Sequence, residues 1–142
     1  MLTTRVGAHD HAMTVNAFTS VSLDPMLVLV CVETESRFHD AVVEAGFWWV
    51  SVLDASARPV AEWLSTRGRP LHGQLDRVPH HRGPVTGVAL ADQAVSWLEC
   101  RTRQVVPAGD HVVLVADVVS ARTGNADPGV LVYHRGRYGR TG

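Results

Sequence analysis

The sequence predicts a mainly β protein, a closed or nearly closed antiparallel barrel carrying short helices. Three observations point there. β-Branched residues dominate, with valine the commonest; turn signals recur at short intervals; and only two stretches switch from a period of two to helical spacing. Closing a sheet on itself removes exposed edges, which favours the barrel, although pattern alone leaves a sandwich open. With 142 residues, 46% hydrophobic and 19% charged, the chain reads as one globular domain over residues 1–142.

Residues 2–6 and 12–16 read as strands joined by a turn at residues 7–10. The run MLVLVCV at residues 26–32 is continuously apolar and of strand length, as expected of a strand buried on both faces. In SRFHDAVVEAG the period changes. Phe38, Ala41, Val42 and Ala45 fall at helical spacing, Ser36 is placed to cap the start, and Gly46 stands where a terminating glycine belongs. FWWVSVL, residues 47–53, returns to strand character. Residues 58–65 read as a second short helix with Pro59 in its first turn. Six glycines and prolines between residues 66 and 84 make a long loop, of a length that is often functional in a compact domain. Residues 95–106 and 111–120 read as long strands around the turn PAGD, and GVLVYHRGRYG supplies the last strand.

A net charge of −1 supplies no global field for nucleic acid or an anionic membrane. All 13 basic residues are arginine; lysine and isoleucine, both with AT-rich codons, are absent, so the arginines as a class carry little functional weight. No apolar run is long enough to span a bilayer, the first ten residues lack a signal core, and Cys31 and Cys100 form no CxxC; a cytoplasmic location is expected. His9 and His11 flank Asp10, and His80 adjoins His81, but neither pair has metal-ligand spacing, so no metal is expected. GxGxxG, P-loop and GxSxG patterns are absent.

Two stretches stand out as candidate sites. In TVNAFTSVSLDP, from Thr14, the alternation of apolar and polar residues is what any half-exposed strand shows. Polar residues become consecutive after Phe18, however, which suits a strand end or bulge that aims donors at a planar heterocycle. In VETESRFHD, a strand end, a short turn and a helix start bring free N–H groups, the Ser36 hydroxyl and the Arg37 guanidinium together. That makes either a phosphate site or a plain N-cap with a solvent-facing arginine. His111, after Gly109 and Asp110 at a strand start, suits a cleft role or an ordinary turn.

Together AMTVNAFTSVSLDP, LVLVCV, SRFHDAV, FWWVSVL, RGPVTGVAL, WLEC, GDHVVLVADV and VYHRGRYG, in that order, resemble the flavin reductase-like family of FMN-binding split barrels. That family includes the reductase components of two-component flavin-dependent monooxygenases. The resemblance implies a six-stranded antiparallel split barrel of Greek-key topology, usually a homodimer. It implies FMN or FAD as cofactor and NADH or NADPH as hydride donor, with reduced flavin passed to a separate monooxygenase. A flavin carrier or sensor without nicotinamide oxidation is the alternative.

Carried over by residue, Thr14, Val15, Asn16 and Ala17 line the isoalloxazine, with Ser20 near its polar edge. Cys31, Val32 and Glu33 contribute mainly backbone contacts, and Ser36 and Arg37 hold the phosphate. His111, Tyr133, His134, Arg135 and Tyr138 form the nicotinamide side, where His111 orients the nicotinamide or closes the cleft rather than transferring a proton. Phe38 departs from the family's pattern, which has a small hydroxyl residue there. Hydride transfer between stacked rings about 3–3.5 Å apart asks little of side chains beyond positioning.

Overall fold

A computed structural model describes residues 1–142. The strands are β1 (Leu2–Val6), β2 (His9–Met13), β3 (Phe18–Leu23), β4 (Met26–Glu33), β5 (Phe47–Leu53), β6 (His80–Arg82), β7 (Ala89–Ala91), β8 (Ala94–Ala108), β9 (His111–Thr123), β10 (Leu131–His134) and β11 (Arg137–Arg140). Helix α1 (Arg37–Ala45) follows β4, and α2 (Arg58–Ser65) follows β5. Seven strands form one antiparallel sheet in the order β2-β1-β5-β8-β9-β4-β3, while β6-β7 and β10-β11 are separate hairpins.

β2 and β3 lie at opposite ends of that order, yet only residues 14–17 separate them in the chain. Laid flat, seven strands would put these edges about 29 Å apart. A link of that length spans at most about 18 Å. The sheet therefore curls round into a barrel, and residues 14–17 bridge its seam. Between β4 and β5 the chain passes over β9 and β8, the long return of a Greek key. The mainly β barrel with two short helices is thus as expected, but the main sheet has seven strands rather than six.

Helix α1 forms where its caps dictate. The Ser36 hydroxyl accepts the His39 N–H at 3.2 Å, and Gly46 ends the helix at φ 71°, its N–H donating to the Val42 carbonyl. Phe38, Ala41 and Val42 face the core, so the bulky residue at position 38 serves packing. Helix α2 carries Pro59 in its first turn and buries Val60, Ala61 and Leu64.

Three strand expectations need correction. The second strand ends at Met13, because the Thr14 N–H and hydroxyl donate to the Leu64 and Ala61 carbonyls of α2 instead of to a neighbouring strand. β4 is buried on one face only: Val28, Val30 and Val32 enter the core while Leu27, Leu29 and Cys31 stay half exposed. The strand buried on both faces is β5, whose Trp48 packs in the core inside α1 and whose Trp49 packs beneath the β6-β7 hairpin. Finally, the last strand signal is a hairpin, turning at Arg135 and Gly136, both at positive φ. The long loop after α2 is largely irregular, with β6 as its one strand.

Candidate functional site

Two cavities adjoin at Thr14 and Ser65, which line both. The first, of about 320 Å³, lies between the end of β2, the start of α1 and the loop after α2, and three arginines line it: Arg37, Arg67 and Arg69. The second, of about 850 Å³, is walled by Val15, Asn16, the end of β5, α2 and the β10-β11 hairpin, and most of its lining is hydrophobic.

The cationic cleft is tied together by main-chain contacts. β2 is an edge strand, and Ala12 presents its N–H and C=O outward. The Gln74 side-chain oxygen accepts the N–H at 3.2 Å, and the Arg69 guanidinium donates to the carbonyl at 3.0 Å. Two side chains thus stand in for a missing strand. Arg69 also donates to the Thr66 carbonyl at 2.7 Å and accepts the Arg37 guanidinium at its own carbonyl. Ser36 donates its hydroxyl to the Glu33 carbonyl at 2.8 Å, which holds the helix start against the end of β4. Arg67 reaches Glu33 at 3.5 Å. Burial, with His9 adding, holds His11 below the ordinary imidazole value.

In the larger cavity Tyr133 and Tyr138 face each other across the β10-β11 hairpin with ring centroids 5.0 Å apart. The Arg58 guanidinium lies 5.9 Å from the Tyr138 ring centre and donates to Glu62 at 2.7 Å. Asn16 is exposed at the rim, with its carboxamide bonded to no other residue. A cationic pocket leading into a larger apolar one suits a ligand with an anionic tail and a planar head, and so fits a flavin nucleotide.

A family model described as a flavin reductase-like domain matches residues 1–142. The chain belongs to that family. This flavin reductase-like chain is 35% identical to the NADH-dependent FAD reductase of Streptomyces globisporus over 135 residues, 94% of this chain and 74% of that one. It is 36% identical to the NADH-dependent FMN reductase AsuE2 of Streptomyces nodosus subsp. asukaensis, covering 97% of this chain and 75% of the relative. BorF, the flavin reductase component of a bacterial two-component tryptophan halogenase, superposes with a TM-score of 0.90 at 41% identity, over 98% of this chain and 87% of BorF. The S. globisporus NADH:FAD oxidoreductase SgcE6, solved with NAD and FAD fragments, gives 0.91 at 30% identity, over 99% of this chain and 82% of that one.

Of the residues singled out in the sequence of this flavin reductase-like chain, Glu33, Ser36 and Arg37 line the cationic cleft. Val15, Asn16, Tyr133 and Tyr138 line the larger one, and Thr14 lines both. Val32 is fully buried in the core, leaving only its backbone available. Ala17 accepts the Cys31 N–H, Ser20 lies within β3, and Cys31 points to the outer face of the sheet; none of the three lines either cavity.

His111 pairs across the sheet with Glu33 and bonds Asp110 at 2.7 Å, and it too lines neither cavity. His134 and Arg135 lie at the hairpin tip, outside both linings. Sequence reasoning missed Arg67, Arg69 and Gln74, and considered His11 only as a metal ligand. The signal available for the arginines was their position, flanking Gly68 directly after α2.

Proposed function

We propose that this chain is an NAD(P)H-dependent flavin reductase that supplies reduced FMN or FAD to a separate partner oxygenase or halogenase. The observation that carries this is the junction at Thr14 and Ser65, where an arginine-lined cleft opens into a larger apolar cavity. The free N–H groups at the start of α1, which Ser36 caps, and Arg37 hold the phosphate end. Val15, the exposed Asn16 carboxamide and the backbone of residues 14–16 line the ring end. The tyrosine pair on the hairpin walls the opposite side and excludes water from the nicotinamide. Bound flavin supplies the hydride acceptor. His111, anchored by Asp110, orients the incoming nucleotide.

The outer face of the main sheet favours a homodimer. Leu27, Leu29 and Cys31 of β4 lie beside Val113 and Val115 of β9, and Val106 of β8 continues the stripe. All are half exposed or exposed in one chain, which is the pattern of a face that a second copy covers. No helix is long and apolar enough to cross a membrane. Both cysteines are free thiols, the state a reducing cytoplasm maintains, and we infer a cytoplasmic location from them.

The test is NADH or NADPH oxidation followed at the nicotinamide absorbance with and without added FMN or FAD. Flavin-dependent turnover supports the reading. Flavin retention without turnover marks a carrier instead.

A further inference from the structure

Which flavin the site takes is legible in the cationic cleft, given the flavin site proposed above. The free N–H groups at the start of α1 and Arg37 suffice for one terminal phosphate. The cleft nevertheless carries two more guanidinium groups, from Arg67 and Arg69, against the carboxylates of Glu33 and Glu35. Arg69 is committed to the Ala12 and Thr66 carbonyls and so builds the wall.

Arg67 differs. Its side chain is 88% exposed, and its partner is Glu33, whose carboxylate oxygens both lie 3.5 Å away. A long, exposed pair of this kind holds a guanidinium weakly and leaves its fork free to turn to a better acceptor. A monophosphate seated at the start of α1 and Arg37 needs nothing from Arg67. A second phosphate linked to the first would lie within the same cavity, whose volume of about 320 Å³ matches the liquid share of about ten waters. With three guanidinium groups facing two carboxylates, the cleft keeps a surplus positive charge for it.

We propose that the cationic cleft takes the diphosphate of a flavin dinucleotide, with Arg67 reading the phosphate that FMN lacks, so that the chain binds FAD more tightly than FMN. The specificity then rests on one exposed side chain of the loop after α2.

Titration of the full chain with riboflavin, FMN and FAD, by quenching of flavin fluorescence, tests this. The wild type binds FAD more tightly than FMN. Arg67→Gln weakens FAD by about tenfold, the loss of one charge-assisted hydrogen bond, while FMN and riboflavin stay within about twofold. Arg67→Lys restores part of the FAD affinity, since it keeps the charge but not the fork. Arg67 supports no buried contact, so an unchanged melting temperature confirms that Arg67→Gln is folded. Equal losses for FMN and FAD, or none for FAD, overturn the proposal. A higher KM for NADH with riboflavin as acceptor and unchanged FAD affinity also overturns it, by assigning Arg67 to the nicotinamide dinucleotide. A wild type that binds none of the three flavins overturns the flavin site itself, whereas normal FMN binding with an indifferent Arg67→Gln overturns only the dinucleotide preference.

Discussion

The guanidinium of Arg37, in the first turn of α1, donates to the main-chain carbonyl of Arg69, 32 residues further along the chain. Arg69 in turn grips Ala12 on the edge of the barrel, so one hydrogen-bonded path links helix start, loop and sheet edge around the cationic cleft. The loop is therefore part of the site's wall, and its stability and the site's shape stand together.

Gln74 tests that wall. It is 4% exposed, and its oxygen is the partner of the Ala12 N–H, itself buried. Gln74→Ala leaves a buried donor unpaired, a cost of about 1–3 kcal/mol. For a chain of this size that is a fall in Tm of about 3–10 °C by calorimetry. An unchanged Tm would mean that water reaches Ala12.

Alkaline stability should report on Cys100. Burial, with the Glu99 carboxylate adding, pushes its thiol up to about 12 from an ordinary 9.0. The folded state then keeps a proton that the unfolded state releases. This contribution is fully present below about pH 9 and is lost as pH rises toward 12, at about 1.4 kcal/mol per pH unit. Urea unfolding from pH 7 to 11 should show wild type losing stability faster than Cys100→Ala above pH 9. Parallel curves would place the thiol in contact with water.

Leu29 lies in the middle of the half-exposed stripe, opposite Val115. Leu29→Glu puts a charge at the centre of the proposed dimer face and should convert a dimer into a folded monomer by sedimentation velocity. A dimer that survives the change uses another surface.

His111→Ala should lower kcat/KM for NADH while leaving flavin affinity nearly intact, measured by stopped-flow reduction and by titration. The imidazole is fixed by Asp110, whose carboxyl the His111 contact holds below the usual range, and it stands across from Glu33. A large loss of flavin affinity would place it on the phosphate side.

Local chemistry made part of this molecule legible in its sequence. Ser36 and Gly46 cap α1 through contacts within four residues, so their residue types alone announced the helix and both its ends. MLVLVCV misled because a strand with one face in the core and one half-exposed apolar face has the same composition as a strand in a doubly covered sheet. The C-terminal hairpin was hidden because Arg135 takes a left-handed conformation usually given to asparagine or glycine. The strand through Thr14 was overrun because α2, nearly fifty residues away, captures its polar atoms. Arg69 and Gln74 act on Ala12 across 57 and 62 residues, a juxtaposition that no local pattern encodes.

The arginine-lined cleft is proposed to hold the phosphate of the flavin that NADH reduces. Removing Arg37 tests it most directly. NADH oxidation by wild type and Arg37→Ala should be measured over a range of riboflavin and of FMN concentrations. Arg37→Ala should raise the KM for FMN by about ten- to a hundredfold, from the loss of about 1.5–3 kcal/mol of charge-assisted hydrogen bonding, with riboflavin nearly unaffected. Equal changes for the two flavins would contradict it.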